Sequence, residues 1–137
     1  MKNLALLLLV ACWFIATPLW ASESFLLQGS WALKSAVYTK ADGTVIKGSG
    51  ADLKSVKVLS KGHFSFVTVH KDGSFSSALT GTYQLKGDSY QETPLTGSVA
   101  AMLNKTYDFK AKVEDNLWHH SGMEDGMQIE EVWVRLD

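Results

Sequence analysis

Two segments, Gly29-Ser30-Trp31 and Trp133-Val134-Arg135, decide the predicted fold. The first opens a run of alternating apolar and polar residues, and the second closes the last such run. Arg135 is the only arginine in the sequence. Its planar guanidinium can stack on an indole and still donate hydrogen bonds from its rim, which a lysine ammonium does poorly. We therefore predict a closed β-barrel in which Trp31 and Arg135 meet where the first and last strands become neighbours.

The first 21 residues have the features of an export signal. Lys2 provides a positive start, residues 4–15 are almost wholly apolar, and residues 17–21 have the character of a cleavage region. The apolar stretch is too short to span a membrane comfortably. We predict cleavage after Ala21, which leaves residues 22–137 as one domain in the periplasm or outside the cell.

A second interpretation of the leader stays open. Leu9-Val10-Ala11-Cys12 resembles the lipobox of bacterial lipoproteins, in which the cysteine is lipidated and becomes the mature N-terminus. The protein would then be anchored to a membrane through Cys12. Because Cys12 is the only cysteine, its removal with the leader would leave no disulfide and no thiolate nucleophile in the mature chain.

The charge of the mature chain argues against two classes of partner. With Lys2 removed, 12 basic and 14 acidic residues remain, and the two signs are interspersed. The sequence has no basic stripe typical of nucleic-acid binding and no polybasic patch for an anionic membrane surface. We therefore expect no nucleic-acid partner. Because the apolar stretch of the leader is short, we also expect no membrane span.

Apolar and polar residues alternate in short runs from residue 31 to the C-terminus. Turn-forming pairs such as Asp42-Gly43 and Asp72-Gly73 separate these runs. About eight strands and no long helix result, which predicts an all-β fold with a single antiparallel up-and-down β-barrel. Residues 94–104 break the pattern: Pro94 is expected to end a strand, and a helical turn or ordered loop would then cap one end of the barrel.

Gly29-Ser30-Trp31 on the first strand, together with Arg135 on the last, resembles the signature of the calycin superfamily. This superfamily contains the lipocalins, the fatty-acid-binding proteins and their bacterial relatives. Further motifs are similar to small exported bacterial lipocalin-like domains, largely of unassigned function: Gly81-Thr82-Tyr83, residues 87–92, residues 118–122 and residues 130–135. The resemblance implies a barrel of eight or slightly more strands around an internal cavity. It also implies a structural lock in which Trp31 seals the closed end and Arg135 packs across it, with Gly29 and Trp133 beside them.

The inward face of the barrel can be predicted from the period of two along each strand. If Trp31 points inward, Leu33, Ser35 and Val37 follow it, and Arg135 brings Trp133 and Glu131 inward on the last strand. The predicted cavity is aromatic with a few polar groups, and its candidate ligand-binding residues are Phe64, Phe66, Tyr83, Tyr90, Glu92, Tyr107, Phe109, Trp118, His120 and Glu131. The same aromatic side chains could instead fill the barrel as a solid core.

Histidine spacing does not predict a metal site. His119 and His120 are adjacent on a strand and therefore point to opposite faces, and no His-x-His spacing occurs. We expect no cofactor. A haem bound through His70 or His120, on the inward faces of their strands, is kept as a minor alternative.

Three functions are compatible with the predicted barrel. The first is an exported barrel that binds a small hydrophobic or amphipathic molecule in its cavity, oriented by polar groups such as Glu92 and His120. The second is a barrel enzyme that uses Glu92, Glu131 and His120 in proton transfer, although the sequence has no recognisable catalytic motif and we do not expect an enzyme. The third is a filled barrel that binds another protein through Met123, Asp125 or the segment 94–104.

Overall fold

The computed structural model describes residues 26–50 and 52–137. The predicted signal peptide, its cleavage site and Cys12 lie outside the described residues. Within that part of the chain, no helix is long and apolar enough to cross a membrane. The elements follow one another as β1 Gly29–Thr39, β2 Val45–Ser49, β3 Leu53–Ser60, β4 His63–His70, β5 Phe75–Lys86, β6 Ser89–Gly97, the 3₁₀ helix Ala100–Met102, β7 Tyr107–Glu114, β8 Leu117–Glu124 and β9 Met127–Arg135.

Eight of these strands form a closed antiparallel barrel. Strands β3 to β9 pair in sequence order, and β1 joins the two ends of the row by pairing with both β3 and β9. The short strand β2 is an addition, since it pairs only with the second half of β1, from Ser35 opposite Ser49 to Thr39 opposite Val45. The all-β up-and-down barrel is confirmed, with one extra strand.

Up-and-down connectivity gives the barrel two different ends. The end that holds Trp31 has tight two-residue turns at 61–62, 87–88 and 115–116. The other end carries the longer connection 98–106 between β6 and β7, together with the turns after β1, β4 and β8. The predicted helical turn is present within the segment 94–104, at Ala100–Met102.

A β-bulge in β1 changes which of its residues face inward. The register with β9 shifts between Leu33 and Ser35, so the face that begins with Trp31 and Leu33 continues with Ala36 and Tyr38. Ala36 is only 2% exposed, and Tyr38 lines the cavity. The prediction that Ser35 and Val37 point inward is therefore wrong, because the extra residue at the bulge reverses the parity.

Pro94 does not end its strand. Strand β6 continues to Gly97, and Pro94 is fully buried opposite Gly81, next to a register shift in the pairing with β5. The backbones approach so closely there that a Cβ on Gly81 would lie 2.9 Å from the Pro94 Cα. On its other side β6 pairs with β7 only as far as Glu92, so the missing N–H of Pro94 disrupts no ladder there. The prediction of a strand end at Pro94 is wrong for this reason.

Candidate functional site

A cavity of about 240 Å³ lies inside the barrel. Its walls are apolar and aromatic side chains from strands around the barrel: Leu33, Phe66, Leu79, Phe109, Ile129 and Trp133. Its rim includes Leu53, Val99, Met102 and Met127, which lie near the end with the longer connections. The cavity is thus associated with the end opposite Trp31, and we call this the open end.

A buried ion pair crosses the interior of the barrel. The Lys57 Nζ atom lies 2.5 Å from Oε2 of Glu92, and the Tyr90 hydroxyl donates a hydrogen bond of 2.6 Å to the same oxygen. Lys57 and Glu92 are only 4% and 6% exposed. Five aromatic rings surround the ammonium, with centroids 5.1–5.9 Å from Nζ. A cation inside this barrel is therefore stabilised by one carboxylate and by several ring faces.

Sequence reasoning missed Lys57. Strand β3 carries Lys57 on the same face as Leu53 and Leu59, while its other face carries Val56 and Val58. Hydropathy alone favours the valine face as the inner one, yet both valines are more than 40% exposed. Leu53 and Leu59, which lie on the same face as Lys57, were the signal in the sequence that this face points inward.

Glu131 is held by two donors at the cavity wall. The Tyr38 hydroxyl donates to its Oε1 at 2.8 Å, and the indole N–H of Trp133 donates to its Oε2 at 2.9 Å. Burial raises the pKa of Glu131, while Lys57 and the two hydrogen bonds act in the opposite direction. Neither of its hydrogen-bond donors is a cation, so its charge is not neutralised by a direct ion pair.

His120 is buried against aromatic rings. Its ring centroid lies 4.1 Å from that of Phe109, and it meets Tyr90 and Trp118 edge-on. Burial, and then the nearby Lys57 charge, lower the pKa of His120 well below its usual value, so the imidazole is neutral at physiological pH. Its Nδ1 atom has no hydrogen-bond partner among residues 26–50 and 52–137.

Glu124 is a second residue that sequence reasoning missed, because the polar stretch 122–126 with a glycine at each end is typical of a loop. Strand β8 extends through Glu124 and places its side chain in the cavity lining. Burial, followed by the nearby carboxylates of Glu131 and Glu92, raises the pKa of Glu124 to about 7, although the Lys57 charge acts in the opposite direction. The Glu124 carboxylate forms no hydrogen bond or ion pair with another residue of the described chain, although the backbone of Glu124 pairs with Met127. It is the carboxyl group at this site that is poised to change charge near neutral pH.

The structure divides the predicted ligand-binding residues into two groups. Phe66, Glu92, Phe109, His120 and Glu131 line the cavity. The other five are buried behind that lining: Phe64, Tyr83, Tyr90, Tyr107 and Trp118. His70, the alternative haem ligand, is the last residue of β4, where it pairs with the cavity-lining Leu53 at the open rim and is exposed.

The predicted lock closes the opposite end. The Arg135 guanidinium carbon lies 4.1 Å from the Trp31 ring centroid, and its two terminal nitrogens donate to the carbonyls of Gln28 and Leu26 at 2.7 and 2.6 Å. Trp31 is fully buried and donates its indole N–H to the Leu27 carbonyl at 2.9 Å. Gly29 has a φ of 124°, and a Cβ there would lie 2.8 Å from the Arg135 guanidinium.

Trp133, the fourth residue predicted for the lock, belongs to the cavity wall. It stacks on Trp118 with ring centroids 6.1 Å apart, and Trp118 in turn meets the edge of Trp31 at 5.6 Å. Three indoles thus connect the closed end of the barrel to its cavity.

Comparison with known proteins assigns the chain to a family. The family described as "Domain of unknown function (DUF4488)" matches residues 26–137, which is the whole barrel. This chain belongs to that family. A comparison with curated proteins finds no match.

Two solved structures have the same fold as this DUF4488 barrel. A lipocalin-like protein from Bacteroides uniformis is 22% identical over 81% of this chain and 99% of its own length, with a TM-score of 0.55. An uncharacterized protein from Bacteroides eggerthii is 19% identical over 80% of this chain and 99% of its own length, with a TM-score of 0.52. At this identity the likeness establishes the lipocalin-like fold.

Most of the ionisable groups that line the cavity are held by partners within the chain. Glu92 is occupied by Lys57 and Tyr90, and Glu131 by Tyr38 and Trp133. Within the described ranges, no group of three or more histidine, cysteine, aspartate or glutamate side chains could hold a metal ion. Among the ionisable side chains of the described lining residues, the Glu124 carboxylate and the His120 Nδ1 atom have no hydrogen-bond partner.

Proposed function

We propose that this protein is exported and binds a small, partly apolar molecule in the cavity at the open end of its barrel. The observation that carries the proposal is the cavity itself, which combines apolar and aromatic walls with a few buried polar groups. A volume of about 240 Å³ suits a small molecule. An eight-stranded barrel that was completely filled by side chains would leave no such space.

Export is supported by the leader. Residues 1–21 carry the positive start, apolar stretch and cleavage region of a signal peptide. We propose a periplasmic or secreted location, with a lipid anchor on Cys12 as the alternative arrangement. Mass determination of the mature N-terminus distinguishes the two, because cleavage after Ala21 removes Cys12.

Native mass spectrometry tests whether a molecule is bound. The protein is purified from its own host compartment without unfolding, and spectra are recorded under native and denaturing conditions together with a visible absorption scan. We expect an added small mass under native conditions that is lost on denaturation. A native mass equal to that of the polypeptide alone, with no absorption band, would count against a carrier of a small molecule.

Filling the cavity is expected to abolish this binding. Ser77 lines the cavity and is partly buried, so Ser77→Phe places an aromatic ring in the space that the molecule needs. We expect the native spectrum of Ser77→Phe to lose the added mass while the protein stays folded. The matched control is Val67→Phe, on the neighbouring strand β4, where the side chain is 48% exposed and does not line the cavity.

The control variant should keep the bound molecule. Loss of binding in Val67→Phe as well, or retention in Ser77→Phe, would place the molecule somewhere other than this cavity. Circular dichroism of both variants shows whether the barrel is intact.

A further inference from the structure

We propose that the cavity selects an amphipathic organic cation, a small apolar body that carries one ammonium group, and binds the ammonium beside Glu124 and Glu131. This inference rests on the proposed function, because it names the class of molecule that the same cavity takes. Three independent observations support it: the charge balance of the lining, an unpartnered buried histidine, and aromatic rings of the wall that already surround one cation.

The charge balance of the cavity leaves an excess of carboxylates. Three glutamates line it, namely Glu92, Glu124 and Glu131. Lys57 is the only lysine or arginine among the described lining residues, and its ammonium is already paired with Glu92 at 2.5 Å. Glu124 and Glu131 therefore have no cation of their own. A ligand with a positive charge supplies the missing counter-charge, whereas an anionic ligand is repelled by whichever of these carboxylates is ionised.

His120 is a second polar group in the lining without a full set of partners. It is 4% exposed, lines the cavity, and its Nδ1 atom has no partner in the described part of the chain. A neutral imidazole offers one nitrogen that accepts a hydrogen bond and one that donates. A protonated His120 would add a second positive charge to that of Lys57 and repel an ammonium, but this histidine stays neutral beside Lys57.

The aromatic wall already accommodates a cation. The Lys57 ammonium lies 5.7 Å from the Phe66 ring centroid and 5.9 Å from that of Trp133, and both rings also line the cavity. Ring faces attract a desolvated cation through their quadrupole, so these walls do not penalise a second positive charge as saturated side chains would. The apolar part of the ligand would pack on Leu33, Leu79 and Ile129.

Three probes of similar shape and different charge test the selection. Phenethylamine is a cation at neutral pH, phenethyl alcohol is neutral, and hydrocinnamate is an anion. We expect calorimetric titration to give phenethylamine an affinity at least about tenfold above that of phenethyl alcohol, with no measurable binding of hydrocinnamate. Equal binding of amine and alcohol, or preference for the acid, would overturn the cation selectivity but leave a functional cavity. Absence of binding by all three probes would overturn it too, and the proposed function is then decided by the native mass spectra.

Removal of one carboxylate should weaken the binding of the cationic probe and leave that of the neutral probe nearly unchanged. Glu124→Gln keeps the shape of the side chain and is expected to reduce the phenethylamine affinity about tenfold at about pH 8, with little change for phenethyl alcohol. The matched control is Glu130→Gln, an exposed glutamate of β9 that does not line the cavity. An equal loss of affinity in both variants would show a general effect of net charge and contradict the assignment.

The pH dependence gives a readout that a merely structural role of Glu124 would not produce. Because its pKa is raised to about 7, the carboxyl is largely neutral at about pH 6 and negative at about pH 8, so the affinity for phenethylamine should rise over this interval. Glu124→Gln should remove most of that rise. The ionisable groups that face Glu124 are those of Tyr38, Lys57, Glu92, Tyr107, His120, Asp125 and Glu131. An affinity for phenethylamine that falls or stays constant from about pH 6 to about pH 8 would contradict the proposal.

Discussion

Replacement of Lys57 by methionine is expected to lower the free energy of unfolding by about 3–5 kcal/mol, because it leaves the Glu92 carboxylate buried without its counter-charge. Glu92 is 6% exposed, and within the described residues its Oε2 atom has two donors, the Lys57 ammonium and the Tyr90 hydroxyl. Methionine fills most of the lysine volume, so the loss reports the charge and not an empty space. Equilibrium unfolding in urea, followed by tryptophan fluorescence, measures it.

Two further variants separate the ion pair from other effects. The double variant Lys57→Met with Glu92→Gln removes both charges and should recover most of the lost stability. Lys112→Met breaks an exposed ion pair with Glu114, 2.8 Å long and more than half exposed at both side chains, and should cost less than about 1 kcal/mol. If Lys57→Met costs no more than Lys112→Met, the interior ion pair does not stabilise the barrel as described.

Replacement of Trp31 by alanine is expected to cost about 3–5 kcal/mol of stability at the other end of the barrel. The indole is fully buried, packs against Trp118 at 5.6 Å and against the Arg135 guanidinium at 4.1 Å, and donates to the Leu27 carbonyl. Thermal and chemical unfolding measure the loss. Binding by the folded fraction should persist, because Trp31 does not line the cavity.

Arg135→Lys tests the specific role of the guanidinium in this lock. The lysine keeps the charge but cannot stack on Trp31 while donating to both the Gln28 and Leu26 carbonyls. We expect a smaller loss than for Trp31→Ala, about 1–2 kcal/mol. A neutral effect of Arg135→Lys, or a loss of ligand binding in Trp31→Ala without loss of stability, would contradict a purely structural lock.

The closure of the barrel could be predicted because it depends on local patterns and on one unusual residue. The period of two along most strands and the Asp-Gly turns define antiparallel hairpins whatever the rest of the chain does. The single arginine near the C-terminus and the tryptophan of β1 then identify which strands meet. An arginine stacked on a tryptophan requires the first and last strands to lie side by side, so these two residue types favour a closed barrel.

The composition of the cavity was harder to predict, because it depends on single-residue irregularities and on compensation between distant strands. One bulge after Leu33 exchanged Ser35 and Val37 for Ala36 and Tyr38 on the inner face. Lys57 lies inside only because Glu92, 35 residues further along the chain, lies opposite it. Within β3 the signal for a buried Lys57 is limited to the two leucines on its own face, since hydropathy counts the charge of a lysine but not its partner.

Nuclear magnetic resonance of the indole N–H groups during titration with phenethylamine tests most directly that the open-end cavity is the binding site. Trp133 lines the cavity, whereas Trp31 is fully buried at the closed end. We predict a saturable shift of the Trp133 indole signal, with the Trp31 signal nearly unchanged. A titration that leaves Trp133 unmoved, or that shifts Trp31 in its place, would contradict the account.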